Sequence, residues 1–131
     1  MEIFNQFTVE ILIIVFFIIT YFFSVFEKVY NWNDTVSYYK SHFKGTFIVS
    51  SLPYLLIKVI VFELVTFIFL TLGLYFVFFD NSFEMVKLGL VFSAFTLLLF
   101  LIAQRIAKDY SGAMNITVYF ILNCFGIYLL T

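Results

Sequence analysis

The sequence predicts an all-α integral membrane protein, a four-helix bundle with a short interfacial amphipathic helix between its first and second spans. Composition is the first reason. Of 131 residues, 64% are hydrophobic and only 11% are charged, whereas a soluble domain carries about a quarter charged residues. A soluble fold of this length has too much surface to cover with so few charges. Patterning is the second. The apolar residues fall in four continuous runs, and a helix needs about 20 such residues to cross roughly 30 Å of hydrocarbon. The runs do not alternate, and four strands cannot close a barrel, so in lipid each segment must satisfy its own backbone as a helix. A free soluble enzyme, a nucleic-acid binder and a disordered chain are excluded. The net charge of −1 supplies no basic field for nucleic acid.

The first span is expected over about 7–26, with no charge between Glu10 and Glu27. No Lys or Arg precedes Lys28, so the positive region of a cleaved signal is missing and the segment reads as a true span. The connection that follows is patterned. Trp32, Val36, Tyr39 and Phe43 recur at helical spacing, while Asp34, Ser37, Ser41 and Lys44 occupy the other face. Asn33 reads as an N-cap and Gly45 as a stop. An amphipathic helix over about 33–44, aromatic on one side and basic on the other, belongs at the headgroup level.

The second span, about 52–79, has Pro53 in its first turn, where proline is tolerated, and carries Lys58 and Glu63. The third, about 84–103, has no charge from Leu88 to Gln104, and the fourth, about 113–130, has none at all. Residues 1–131 form one membrane domain. Small residues permit close helix approach in a membrane. Gly89 with Ser93 and Ala103 with Ala107 are the candidate packing positions.

Basic residues set the orientation. Lys28, Lys40, Lys44 and Lys58 flank the first connection and Arg105 and Lys108 the third, against Lys87 alone on the opposite side. The first and third connections are therefore expected in the cytoplasm and both termini outside.

The informative residues are the ionisable ones at depth. Glu63 lies about 15 Å into the second span at 1.5 Å per residue, where a charge costs about 2.5–3.5 kcal/mol even on a lenient scale. It should face the bundle interior, protonated or paired. Lys58 is five residues away and so displaced by about 140° around the same helix. Lys28 or Arg105, reaching in from a neighbouring helix on a long stem, is the better partner. Asp109, four residues after Arg105, could hold the guanidinium if the helix continues that far. The expected constellation is Lys28, Glu63, Arg105 and Asp109, with Glu27, Lys58 and Gln104 at its edge. It reads as a salt-bridge network fixing helix register, or as a polar pocket for a quinone or lipid head group. A proton path through Glu63 is the weaker reading, since only Glu10 approaches from the other side.

No catalytic residue is expected, because no Walker loop, dinucleotide fingerprint, HExxH or nucleophile elbow occurs. The single cysteine, Cys124, cannot form a disulfide framework or a thiolate metal cage, and reads as a small hydrophobe within the fourth span. The single histidine, His42, cannot supply paired haem ligands and reads as a headgroup-level residue. Asn123 reads as a hydrogen-bonding residue between helices. The glycosylation patterns at Asn33 and Asn115 fall on a cytoplasmic connection and on the start of a span, and read as chance. No metal and no covalently held cofactor is expected; a quinone or a lipid is the candidate ligand.

The pattern resembles the DoxX-like superfamily of small four-helix membrane proteins, which includes the MauE-type proteins. The likeness rests on Ser24-Val25-Phe26-Glu27-Lys28 closing the first span and on the polar, aromatic connector. It rests also on Glu63 with the later Leu72-Gly73-Leu74, and on Arg105-Ile106-Ala107-Lys108-Asp109 before the last span. It runs from about residue 16 to residue 130. What it implies is a bacterial inner-membrane protein, with some members linked to quinone or sulfur redox chemistry, others to thiol maturation, and many acting as partners of other proteins. A lone Cys124 cannot cycle a disulfide within the chain. The expected function is a non-catalytic accessory subunit of a larger inner-membrane complex, in contact with lipid and with other membrane subunits. A membrane subunit of a quinone-linked oxidoreductase is the alternative, and a small proton-coupled transporter a second one.

Overall fold

A computed structural model describes residues 2–131. A short helix α1 (Glu2–Gln6) leads into α2 (Thr8–Tyr30), then α3 (Trp32–His42), a single 3-10 turn (Val49–Ser51), α4 (Leu52–Asp80), α5 (Glu84–Ile106) and α6 (Tyr110–Leu130). Four helices, Thr8–Tyr30, Val49–Asp80, Glu84–Ile106 and Tyr110–Leu130, are long and apolar enough to cross a membrane. No strand occurs among the described residues. The protein is an all-α, multi-pass membrane bundle.

The helices pack in a ring in which α2 meets α4, α4 meets α5, α5 meets α6 and α6 returns to α2. The tightest seam is α4 with α5. It forms because α4 buries Glu63, Thr66, Leu70, Gly73 and Val77, in steps of three and four, on one stripe. That spacing is the seam pattern of helices packed knobs-into-holes. Glycines bring the backbones together. A Cβ on Gly73 would stand 2.7 Å from the Val86 backbone nitrogen, and one on Gly89 would stand 2.8 Å from the Leu70 side chain. Gly126 similarly seats α6 against Ile13 and Leu90. Elsewhere the outer surface is apolar and aromatic, with Phe23, Phe95, Val118 and Ile121 all more than half exposed, as lipid-facing positions should be.

Several boundaries differ from the sequence expectation, each for a local reason. Helix α2 continues to Tyr30, one turn past the apolar run, because Glu27 and Lys28 fit a helix as well as they fit its end. The break before α3 is Asn31 alone, so Asn31 rather than Asn33 caps α3, and it does so without a side-chain hydrogen bond. Helix α3 stops at His42, and Gly45 adopts φ +84° in the turn that follows, a conformation for which glycine carries no Cβ penalty. Helix α5 ends at Ile106 in a turn whose Lys108 N–H bonds Arg105 O and whose Asp109 N–H bonds Gln104 O. Both bonds belong to the Schellman motif. Lys108 takes φ +58° there, where glycine is the usual occupant.

Candidate functional site

The core divides by polarity. Towards the N-terminal end of α2 it is mainly apolar, with Ile11, Ile14, Phe17, Val77 and Val86 buried together and Asn123 of α6 as a buried polar member beside Leu90. Towards α3 the same helices present buried polar groups: Glu63, Thr66, Ser93 and Thr96, each no more than 1% exposed.

Lys28 and Glu63 meet in this polar half. Lys28 Nζ donates to Glu63 Oε1 at 2.8 Å and to Ser24 Oγ at 2.6 Å. It also stands 5.7 Å from the centre of the Phe100 ring. Ser24 lies one helical turn before Lys28, which places its hydroxyl under the lysine stem. Glu63 is fully enclosed, while Lys28 keeps 13% of its side chain exposed. Glu63 Oε2 has no hydrogen-bond partner. Further along, Tyr21 and Ser93 share a 2.6 Å hydrogen bond between α2 and α5. Asn123 of α6 donates to the Leu90 carbonyl of α5 at 2.8 Å, leaving its own Oδ1 unpartnered.

The four-residue constellation expected from the sequence therefore divides. Arg105 is exposed and lies over the Tyr110 ring at 5.2 Å, so it does not reach Glu63. Asp109 does not hold Arg105 either. The helix ends at Ile106, and Asp109 instead caps α6, accepting from the Gly112 N–H at 2.9 Å. Gln104 leaves the edge of that network for His42, with Gln104 Oε1 3.1 Å from Nε2, and Asp109 Oδ2 lies 3.5 Å from the same nitrogen. Lys58 is exposed on α4 and Glu27 is exposed at the end of α2. Two polar clusters replace one, Lys28 with Glu63 inside the bundle and His42 with Gln104 and Asp109 at its rim.

The second cluster was not legible because its members come from two distant stretches, His42 and the segment 104–109, and His42 alone carries no pattern. Its setting was legible. Trp32, Val36 and Tyr39 form the inner face of α3 and, with Phe43 just past its end, pack on Leu52, Leu56, Ala103 and Ala107. The interfacial helix is thus clamped to the start of α4 and the end of α5. Burial raises the Tyr39 hydroxyl pKa above its ordinary value, and the negative charge of Glu63 adds to the shift.

Between the end of α2 and α3 lies an open cavity of about 460 Å³, lined by Ser24, Glu27, Lys28, Asn31, Asp34, Thr35, Tyr38 and Tyr39. Lys28 therefore has one side on the buried carboxyl and the other on this cavity. A second, apolar groove of about 350 Å³ runs between α2 and α4, lined by Phe22, Val25, Phe26, Val29, Tyr30, Leu64 and Phe67. Among the described residues no cluster of His, Cys, Asp and Glu has the arrangement of a metal site.

Comparison with protein-family models, with characterised proteins and with solved structures finds no significant match.

Proposed function

We propose that this chain is a non-catalytic accessory subunit of a larger membrane complex, its bundle held in register by the Lys28–Glu63 pair. One observation carries the reading: three polar side-chain bonds inside the bundle join one helix to another. Lys28 ties α2 to α4, Tyr21 ties α2 to α5, and Asn123 ties α6 to α5. Such cross-helix bonds hold a membrane bundle where apolar surface gives no selective attraction. Among the described residues the bonded groups link helix to helix rather than converge on a shared open cavity. The aromatic outer faces then serve contacts with lipid and with neighbouring subunits. The resemblance to the DoxX-like superfamily supports the same reading, and with it a place in a bacterial inner membrane. The basic residues favour both termini outside.

Extraction in a mild detergent tests this, with total mass and co-purifying proteins read by mass spectrometry. A stoichiometric membrane partner is the expected result. A lone chain or a homo-oligomer would overturn it.

A second reading is favoured by the cavity at Lys28. A quinone or lipid head group would lie against Ser24, Lys28 and Tyr39, rather than against Arg105. It requires a ligand retained on extraction and lost in Lys28→Met, with unchanged ligand content in that variant as the contrary result.

A further inference from the structure

Glu63 has a free oxygen in the one place where a carboxylate can least tolerate it. Oε1 accepts from Lys28, and Oε2 is enclosed without a partner. An enclosed, unpaired carboxylate oxygen is costly, and a proton is the smallest group that satisfies it.

The surroundings favour that occupant. Thr66 donates its hydroxyl proton to the Phe62 carbonyl and Thr96 to the Phe92 carbonyl, each at 2.9 Å. Both hydroxyls then face their neighbours as acceptors only. The α4–α5 seam pairs Gly73 with Val86 and Leu70 with Gly89. Continued along the antiparallel helices, that register sets Thr66 level with Ser93 and Glu63 level with Thr96. Both threonine protons are thus committed to backbone carbonyls of their own helices, and no donor in this layer reaches the free oxygen of Glu63.

A route exists on the other side of the pair. Lys28 is partly exposed and lines the cavity that also holds Glu27 and Asp34. Its flexible four-carbon stem can exchange one carboxylate for another. We propose that Glu63 is a proton-binding site. Its carboxyl alternates between an anion paired with Lys28 and a protonated acid, with Lys28 then turned outward to Glu27 and Asp34. A proton passes from water in the cavity to Oε2; no covalent bond between heavy atoms changes, and the added positive charge is met by the two cavity carboxylates. The inference does not depend on the chain being a subunit.

The other titratable groups around Glu63 are few. Helix α2 brings Lys28 and Tyr21, α3 brings Tyr39, and on α4 Lys58 points away. Arg105, at the end of α5, is turned outward, and α6 has no charged residue.

The test is infrared spectroscopy of the whole chain in lipid, with glutamate isotope-labelled so that Asp34, Asp80 and Asp109 are silent. The protonated-carboxyl stretch is followed against pH. The expected result is a glutamate band that grows as pH falls, shifts slowly on hydrogen–deuterium exchange and is lost in Glu63→Gln. In Lys28→Met the same band should persist to higher pH. If Glu63→Gln does not fold, slow exchange in the wild type identifies the buried group. Absence of a slowly exchanging band throughout the pH range of the folded bundle would overturn the proposal, as would one that Lys28→Met leaves unmoved.

Discussion

Gly73 and Gly89 look alike in sequence and differ in what faces them. A Cβ at residue 73 would meet the Val86 backbone, which can move only if the helices part. A Cβ at residue 89 would meet chiefly the Leu70 side chain, at 2.8 Å, with the Leu70 backbone nitrogen farther off at 3.3 Å, so a side-chain shift relieves most of the overlap. Gly73→Ala should therefore cost about 1–3 kcal/mol, the usual range for overpacking, and Gly89→Ala clearly less. Equilibrium unfolding in mixed micelles measures both, and equal losses would contradict the assigned contacts. Lys108 gives the opposite sign. It holds φ +58°, a conformation that costs a residue with a Cβ about 1–2 kcal/mol. Lys108→Gly should stabilise the α5–α6 turn by up to about 1 kcal/mol, after the entropy cost of glycine is set against it. A loss of stability in the same unfolding measurement would mean that the lysine side chain makes an interaction of its own.

At the scale of elements, α3 is held by an apolar and aromatic face, of which Phe43 is the most buried member, and by the His42 contacts to Gln104 and Asp109. Phe43 is 5% exposed and packs with Leu52 and Leu56. Phe43→Ala should release α3 while α2 and α4 stay formed, because those helices keep their own seam. Hydrogen exchange would show faster amides across 32–43 alone; a uniform change across the bundle would contradict this. Asp109 has two roles that separate by substitution. Asp109→Ser keeps an N-cap for α6 and loses the His42 contact, whereas Asp109→Ala loses both, at about 1 kcal/mol for the cap. Tyr39 adds a pH dependence. Its hydroxyl pKa is raised from the ordinary 10.0 by burial and then by Glu63, so the folded state holds this proton more tightly than the unfolded one. That stability is complete below the ordinary value and is lost as pH rises beyond it. Docking of α3 should weaken at alkaline pH in the wild type and not in Tyr39→Phe, as the same exchange measurement would report.

For the whole molecule, the architecture was written plainly in the chain and the site only in part. Continuous apolar runs leave a membrane chain no alternative to helices, so the spans could be placed within a few residues. Glu63 stood out because it interrupts such a run at depth, and Lys28 because it closes the helix before it. The partner of Glu63 could not be chosen from sequence. That choice depends on how the ring of helices is rotated, which places Lys28 against α4 and turns Arg105 towards Tyr110. Asp109 was misplaced because the spacing to Arg105 suggests one continuous helix, while the backbone turns at Lys108. The Tyr21–Ser93 bond escaped notice since a tyrosine in an aromatic-rich run carries no positional signal.

The pair at the centre of the molecule is open to a direct test. Lys28→Met, Glu63→Gln and the double variant form a cycle, with unfolding free energy measured in lipid-containing micelles at neutral pH. Either single change leaves a charge or a polar group without its partner, and the double change removes both. The account predicts that the double variant is far less destabilised than the two losses added together, with a coupling above about 1 kcal/mol. Losses that add to within about 0.5 kcal/mol would contradict it, for Lys28 and Glu63 would then be neighbours without being partners.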